Sequence, residues 1–330
     1  MRRHRVLLGL LGLLVALLFL AALLVGPANV PPGQSLAALL RGDHGPLTLV
    51  MREIRLPRAI LAVMVGGGLG LSGAAMQGYL RNPLAEPGLT GVSASAALGA
   101  VLAIQTGLAT GFALGLPLAA LGLAGLSTGL VLLLAGPAGG ALTLILAGIA
   151  LGALAGALTS LVLSLSPNPF AASEIVFWMM GSLADRSFTH VALALPFMAA
   201  GAALVLSLGR DLDALSLGED AAATMGVRLG RLRLVLVAGV AAMVGAATAV
   251  AGAVGFVGLV VPHLLRRATG GRPSRLLTAS ALGGVAMVLA ADIAVRGILP
   301  GRELKLGVLT ALVGAPLFLH LVWRTRKDLP

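Results

Sequence analysis

The 330-residue sequence is 58% hydrophobic and only 11% charged, against the roughly one quarter charged residues that a water-facing surface needs, and its mean hydropathy is +1.03. It has no cysteine, which excludes disulfide scaffolds, thiolate metal sites and cysteine nucleophiles. Its net charge of +11 would suggest nucleic acid in a soluble chain, but charge spread between apolar stretches reads as a membrane-topology signal.

Apolar, charge-free stretches long enough to cross a bilayer, about 20 residues each, recur along the chain. Met1-Arg-Arg-His-Arg5 precedes an apolar run from Val6 to Ala28. That run exceeds the roughly 7–15-residue apolar core of a signal peptide and predicts a retained first helix. Ala59–Leu80 predicts the second. Pro87–Ser173 has room for three, with breaks at Thr106–Pro117 and Gly136–Gly140, both rich in turn residues. Ser187–Gly209 is the sixth. Leu234–Leu265 is long for one helix and short for two, and Ala251-Gly-Ala-Val-Gly255 predicts a turn or broken helix followed by a shorter one. Leu276–Ala291 and Leu306–Trp323 complete an all-α integral membrane fold of about ten transmembrane helices, in a single domain over residues 1–330. The 46 glycines let helix backbones approach closely within lipid.

Orientation follows from arginine and lysine placement. With the N-terminus in the cytoplasm and ten alternating spans, 15 cations fall inside and 8 outside, so both termini are expected in the cytoplasm. The outer cations gather at Arg52–Arg58 before span two and at Arg296–Lys305 between spans nine and ten. Charge alone leaves two readings open: a docking ring for an acidic partner, or interfacial snorkelling beside Glu53 and Glu303. Asp292, near the outer end of span nine, is expected to pair with Arg296 at i+4. The longest polar stretch on the cytoplasmic side is Asp211–Arg233. Within it Leu215–Gly226 predicts a short amphipathic helix ended by glycine, with Leu217, Ala221, Thr224 and Met225 sharing a face. Its acidic residues Asp211, Asp213, Glu219 and Asp220 suit anionic lipid poorly, which favours a protein partner.

No G-x-x-x-x-G-K-[ST] loop accompanies either lysine, so the chain does not bind ATP in that way. His4, His44, His190, His263 and His320 show no metal-ligand spacing, and G-x-S-x-G and H-E-x-x-H are absent. No cofactor is implied, and the chain is not expected to be an enzyme. The polar residues available within the apolar tracts are few: Gln77, Asn82, Gln105, Thr143, Thr159 and Ser160.

Arg55-Leu-Pro-Arg58, Gly73-Ala-Ala-Met-Gln77 and Asn82-Pro-Leu-Ala-Glu-Pro-Gly-Leu-Thr-Gly-Val-Ser93 are followed by Phe177-Trp-Met-Met-Gly181, Leu217-Gly-Glu219 with Met225-Gly226, and Gly255-Phe-Val-Gly-Leu-Val-Val-Pro-His263. Ala291-Asp292 with Arg296, and Gly307-Val-Leu-Thr-Ala-Leu-Val-Gly-Ala-Pro316, complete the series. From Arg52 to Trp323 the chain resembles the permease subunits of the bacterial ABC importers for iron–siderophores, haem and vitamin B12, the FecCD/BtuC-like family. The resemblance implies a homodimeric permease of the inner membrane with a central path along its two-fold axis. Cytoplasmic ABC ATPase subunits would bind inside and a periplasmic substrate-binding protein outside. It implies that Arg55, Arg58 and Arg296 receive glutamates of the binding protein. It further implies that Leu215, Leu217, Gly218, Glu219, Ala222, Met225 and Gly226 form the ATPase-coupling segment. A cytoplasmic gate is implied near Ala141, Leu142 and Thr143, where some members have small hydroxyl residues and this chain has Gly140-Ala-Leu142. Asn82–Gly88 reads as a stiff turn. Iron–siderophore is the expected cargo. Asn82–Gly88 and Trp178-Met-Met-Gly181 lean toward the B12 branch, haem is a further alternative, and an ion-coupled secondary transporter is the reading of a different class.

Overall fold

The computed structural model describes residues 2–26, 30–40, 45–136, 139–298 and 304–325. Arg41, Arg302, Glu303, Arg326 and Lys327, and the expected end of the first span at Ala28, lie outside them. The described residues are helical, without a strand, as the bilayer requires where no water satisfies backbone groups. In chain order the helices are α1 (Arg2–Leu24), α2 (Pro32–Leu40), α3 (Pro46–Leu49), α4 (Leu56–Tyr79), α5 (Val92–Gln105), α6 (Leu108–Gly111), α7 (Gly115–Ala135) and α8 (Ala141–Ser164). They continue as α9 (Pro169–Met179), α10 (Phe188–Ser207), α11 (Gly209–Leu215), α12 (Glu219–Thr224), α13 (Leu229–Ala251), α14 (Val257–Arg266), α15 (Pro273–Ile298) and α16 (Leu306–Thr325).

Seven helical stretches among the described residues are long and apolar enough to cross a membrane, and α5, α14 and α16 are shorter apolar helices. Both expected breaks in the Pro87–Ser173 tract occur, between α5 and α7 and between α7 and α8. The Ala251–Gly255 break also occurs, with α13 ending at Ala251 and α14 starting at Val257. Three features depart from expectation. Arg52–Arg58 lies not ahead of a helix but inside one, because Pro46–Tyr79 is a continuous helical stretch whose residues Val50–Arg55 form a π-helical turn. Pro57 sits just beyond that turn, and a proline has no N–H for the ladder and crowds the carbonyl before it. Widening to i−5 bonding, as Leu56 N–H makes to Met51 O, accommodates it. Second, α9 is an additional apolar helix, capped by Asn168 Oδ1 accepting from Phe170 N–H at 3.0 Å. Third, the expected helix over 215–226 shrinks to α12, with Leu215 the last residue of the preceding α11 and Gly218 between them at a φ of +115°, a conformation that side chains disfavour.

The centre of the bundle is α4, packed on α15, α14 and α13. Apolar burial contributes little between helices already in lipid, so close backbone approach carries the association. Glycine makes it possible here. A Cβ on Gly66 would lie 2.4 Å from Gly284 O, and one on Gly70 would lie 2.1 Å from Ser280 O, so α4 and α15 touch backbone to backbone at two points about one turn apart. By contrast α1 buries only Ala22 and Leu23, in its last turn.

Candidate functional site

Two polar constellations stand at opposite ends of α15. At its C-terminal end Asp292, 1% exposed, is shared by two arginines. Arg58 Nε donates to Oδ1 at 2.8 Å, and Arg296 Nη2 lies 2.9 Å from Oδ2 as an ion pair without hydrogen-bond alignment. The expected i+4 pairing of Asp292 with Arg296 is therefore present, and Arg58 joins it from 234 residues away. All three arginines implicated by the resemblance converge here. Arg55 is buried, and its Nη1 donates to Leu23 O and Leu24 O at 3.0 Å each. Arg296 Nη1 donates to Ala22 O at 2.9 Å and Val25 O at 2.7 Å. Ala22, Leu23 and Leu24 O are the last carbonyls of α1 and Val25 O follows them; such carbonyls have no partner within the helix and carry its negative dipole end. The cluster therefore holds the one turn of α1 that is buried.

The same logic accounts for Arg52 and Arg186 on this end. Arg52 donates to Leu39 O, in the last turn of α2, through Nε at 3.1 Å and Nη2 at 2.8 Å. Arg186 Nε donates to Val250 O at 2.6 Å, in the last turn of α13. Burial lowers the Arg186 pKa from its ordinary value, with the Asp185 carboxylate opposing that shift. Lys305 Nζ stands 5.8 Å from the centre of the Phe177 ring, within cation–π range. At the other end of the bundle Arg233 Nη2 donates to Gly136 O, beyond the last turn of α7. Arginine here serves as a C-terminal helix cap, a role composition does not reveal because the capped helix is distant in sequence.

At the N-terminal end of α15 lies the segment Asp211–Arg233. Leu215 and Ala222 point into the bundle, 2% and 0% exposed, while Leu217 and Met225 are 69% and 64% exposed. Glu219, Thr224 and Gly226 are exposed with them, and Ala221 is half-buried. The exposed residues make an apolar and acidic face on α12 and its flanks, and Gly218 and Gly226 are the left-handed turns that frame it. Asp213, expected among the acids that face a partner, is bonded within the chain. It accepts from Ser274 N–H and Ser274 Oγ at 2.8 and 2.7 Å, 61 residues away, which left no local signal.

Between the two ends, the turn at Asn82–Gly88 does more than connect α4 to α5. Glu86 Oε1 accepts from Phe256 N–H at 3.2 Å and so caps the broken helix α14 from outside. A cavity of about 150 Å³ adjoins this contact, lined by Glu86, Gly88, Ser93, Thr248 and the unwound residues 252–255. Irregular backbone at this depth is tolerated where it lines a cavity. Gln77 is buried, its Nε2 donating to Leu259 O at 3.1 Å and its Oε1 accepting from Arg266 Nη2 at 2.8 Å, which ties α4 to α14. Gln105 Oε1 accepts from Ser166 Oγ at 3.0 Å, whereas Leu142 and Thr143 are exposed in the first turn of α8 beside the half-buried Ala141. Groups of three or more residues able to hold a metal ion do not occur among the described residues.

Known proteins give this geometry a context. The FecCD transport family matches residues 13–324. The Fe(3+)-citrate import system permease of Bacillus subtilis is 37% identical over 99% of this chain and 98% of its own. The vitamin B12 import system permease of Klebsiella pneumoniae is 38% identical over 98% of this chain and 96% of its own. A solved structure described as an inward-facing conformation of a metal-chelate type ABC transporter superposes with a TM-score of 0.84, at 33% identity, over 97% of this chain and 99% of that one. With the whole helical order matched end to end, the chain belongs to the FecCD transport family of ABC importer permeases.

Proposed function

We propose that this chain is the membrane-spanning subunit of a binding-protein-dependent ABC importer that moves a ferric siderophore across the bacterial inner membrane, with both termini in the cytoplasm. The observation that carries the reading is the family match over residues 13–324 combined with a chain that has no phosphate-binding loop of its own. ATP hydrolysis then belongs to separate subunits, which would seat on the exposed α12 face at Leu217, Glu219 and Met225. Two copies of the chain would enclose the path, with a gate at Ala141–Thr143 in the first turn of α8. An acidic binding protein would dock at the arginine end. Arg55 and Arg296 both spend donors on carbonyls at the end of α1, and Arg58 and Arg296 meet Asp292, so a partner carboxylate would approach the three arginines in competition with these contacts.

Cobalamin is the second cargo, favoured by the wording of Asn82–Gly88 and Trp178-Met-Met-Gly181. Uptake of labelled ferric siderophores, haem and cobalamin in a deletion strain separates the readings. Loss of ferric-chelate uptake alone, restored by the gene, is the expected result. Loss of cobalamin uptake alone moves the cargo to the B12 class, and uptake that persists without any partner ATPase refutes the importer reading.

A further inference from the structure

Asp213 joins the segment carrying the α12 face to the first turn of α15. Ser274 N–H is one of the donors that the start of a helix leaves without an internal partner, and Asp213 Oδ1 accepts it at 2.8 Å while Oδ2 accepts from Ser274 Oγ at 2.7 Å. A carboxylate is also the favoured charge at a helix N-terminus. Arg272 Nε lies 3.9 Å from Oδ2. Packing reinforces the bond: a Cβ on Gly209, the first residue of α11, would lie 3.3 Å from Ser274 Cβ. Leu212 and Leu215 of α11 are fully buried. α11 is therefore fastened to α15 by polar and apolar contacts together.

From that turn α15 runs 26 residues to Ile298, about 39 Å at 1.5 Å per residue, which is enough to cross the bilayer. Its one proline, Pro273, is its first residue, whereas α10, α14 and α16 each carry one inside, at Pro196, Pro262 and Pro316. Interior prolines are where helices kink. Midway, α15 is pressed backbone to backbone on α4 at Gly66–Gly284 and Gly70–Ser280. At its far end Asp292 and Arg296 hold Arg58 and the last turn of α1. Its one glycine pair, Gly283-Gly284, is packed against Val261 and Gly66, so a helix with no interior proline, held at both ends, carries a displacement of its first turn to its last.

We propose that Asp213 is the positioning residue that passes movement of the α11–α12 segment into α15, and through that helix to the arginine cluster at the opposite end of the bundle. The proposal rests on the reading of the α12 face as the ATPase contact. The chain has no cysteine, and Gly297 is exposed with open space where a Cβ would stand. A Gly297→Cys variant therefore carries a single fluorescent probe at the far end of α15. In the transporter assembled with its ATPase subunits in lipid nanodiscs, ATP is expected to change the emission of this probe. Asp213→Ala is expected to cut that change by at least about fivefold, the low end of measured coupling between distant sites, while ATP hydrolysis continues. Asp213→Asn, which keeps an acceptor for Ser274 N–H, and Ser274→Ala, which keeps the backbone cap, are expected to fall between. An undiminished ATP response in assembled Asp213→Ala overturns the proposal, and where that variant does not assemble, undiminished responses in both milder variants overturn it equally. Leu217→Asp tests the underlying reading separately: loss of ATPase assembly supports it, and normal assembly removes the α12 contact and this proposal with it.

Discussion

Replacing Asp292 by alanine removes the carboxylate that Arg58 and Arg296 share at the end of α15. Both arginines are largely buried, with side-chain exposures of 12% and 7%, so neither recovers full hydration when its partner goes. At a charge separation near 4 Å and an effective dielectric of about 20, each pair has a gross attraction of about 4 kcal/mol. The carboxylate's own desolvation offsets part of this. Removing one member of a buried pair costs about 3–5 kcal/mol overall, because the residual charge is left uncompensated. The α1 carbonyls still accept from Arg296 Nη1, which places the expectation near about 3 kcal/mol for Asp292→Ala. Asp292→Asn, which keeps shape and an acceptor, should lose roughly half as much. The assay is thermal unfolding of the purified chain in detergent, where Asp292→Ala should lower the midpoint by roughly 5 °C or more. A double-mutant cycle with Arg58→Ala isolates the pair. A midpoint within about 1 °C of wild type, or a cycle with no coupling, refutes the view that this carboxylate holds the cluster together.

The remaining predictions follow from the same contacts. Arg58→Lys keeps a charge for Asp292 but loses the planar fork, so stability should change little while binding-protein affinity falls about tenfold; a pull-down with full affinity would take Arg58 out of the docking surface. Gly70→Leu places a side chain where Ser280 O stands 2.1 Å away, so α4 and α15 must separate and the yield of folded chain in membranes should collapse. Normal expression would contradict the backbone contact. Glu86→Ala leaves Phe256 N–H without its 3.2 Å acceptor beside the cavity and should cost about 1–3 kcal/mol, read as faster amide exchange at the start of α14 than in wild type.

Much of the fold was legible because lipid imposes a simple rule: a span is a long apolar run, and its ends are polar or rich in glycine and proline. The breaks at Thr106–Pro117, Gly136–Gly140 and Ala251–Gly255 obeyed it. The helix α9 does not stand out in the sequence, because Pro169–Met179 straddles the end of the apolar tract Pro87–Ser173, whose length suits three full spans. The glycine in Leu217-Gly-Glu219 was visible, but only the observed φ at Gly218 shows that it splits the segment into α11 and α12. The resemblance implies one coupling segment for Leu215, Leu217, Ala222 and Met225, whereas burial divides them into an inward and an outward set.

Composition and apolar periodicity by themselves determined the class of the protein, the approximate number of spans and the absence of an ATP-binding loop, since these depend on local stretches read against a uniform solvent. The charge pattern marked the arginines at positions 52, 55, 58 and 296 as exceptions needing a reason. Only the tertiary structure supplied that reason, because the carbonyls of Ala22, Leu23, Leu24 and Leu39 that Arg296, Arg55 and Arg52 cap, and the Asp292 carboxylate that Arg58 meets, belong to helices elsewhere in the chain. The bonds of Asp213 to Ser274 and of Glu86 to Phe256 are of the same kind, a helix end completed by a residue 61 or 170 positions away. A helix leaves its terminal donors and acceptors unpaired wherever it stops, and which distant side chain meets them is set by how the helices pack.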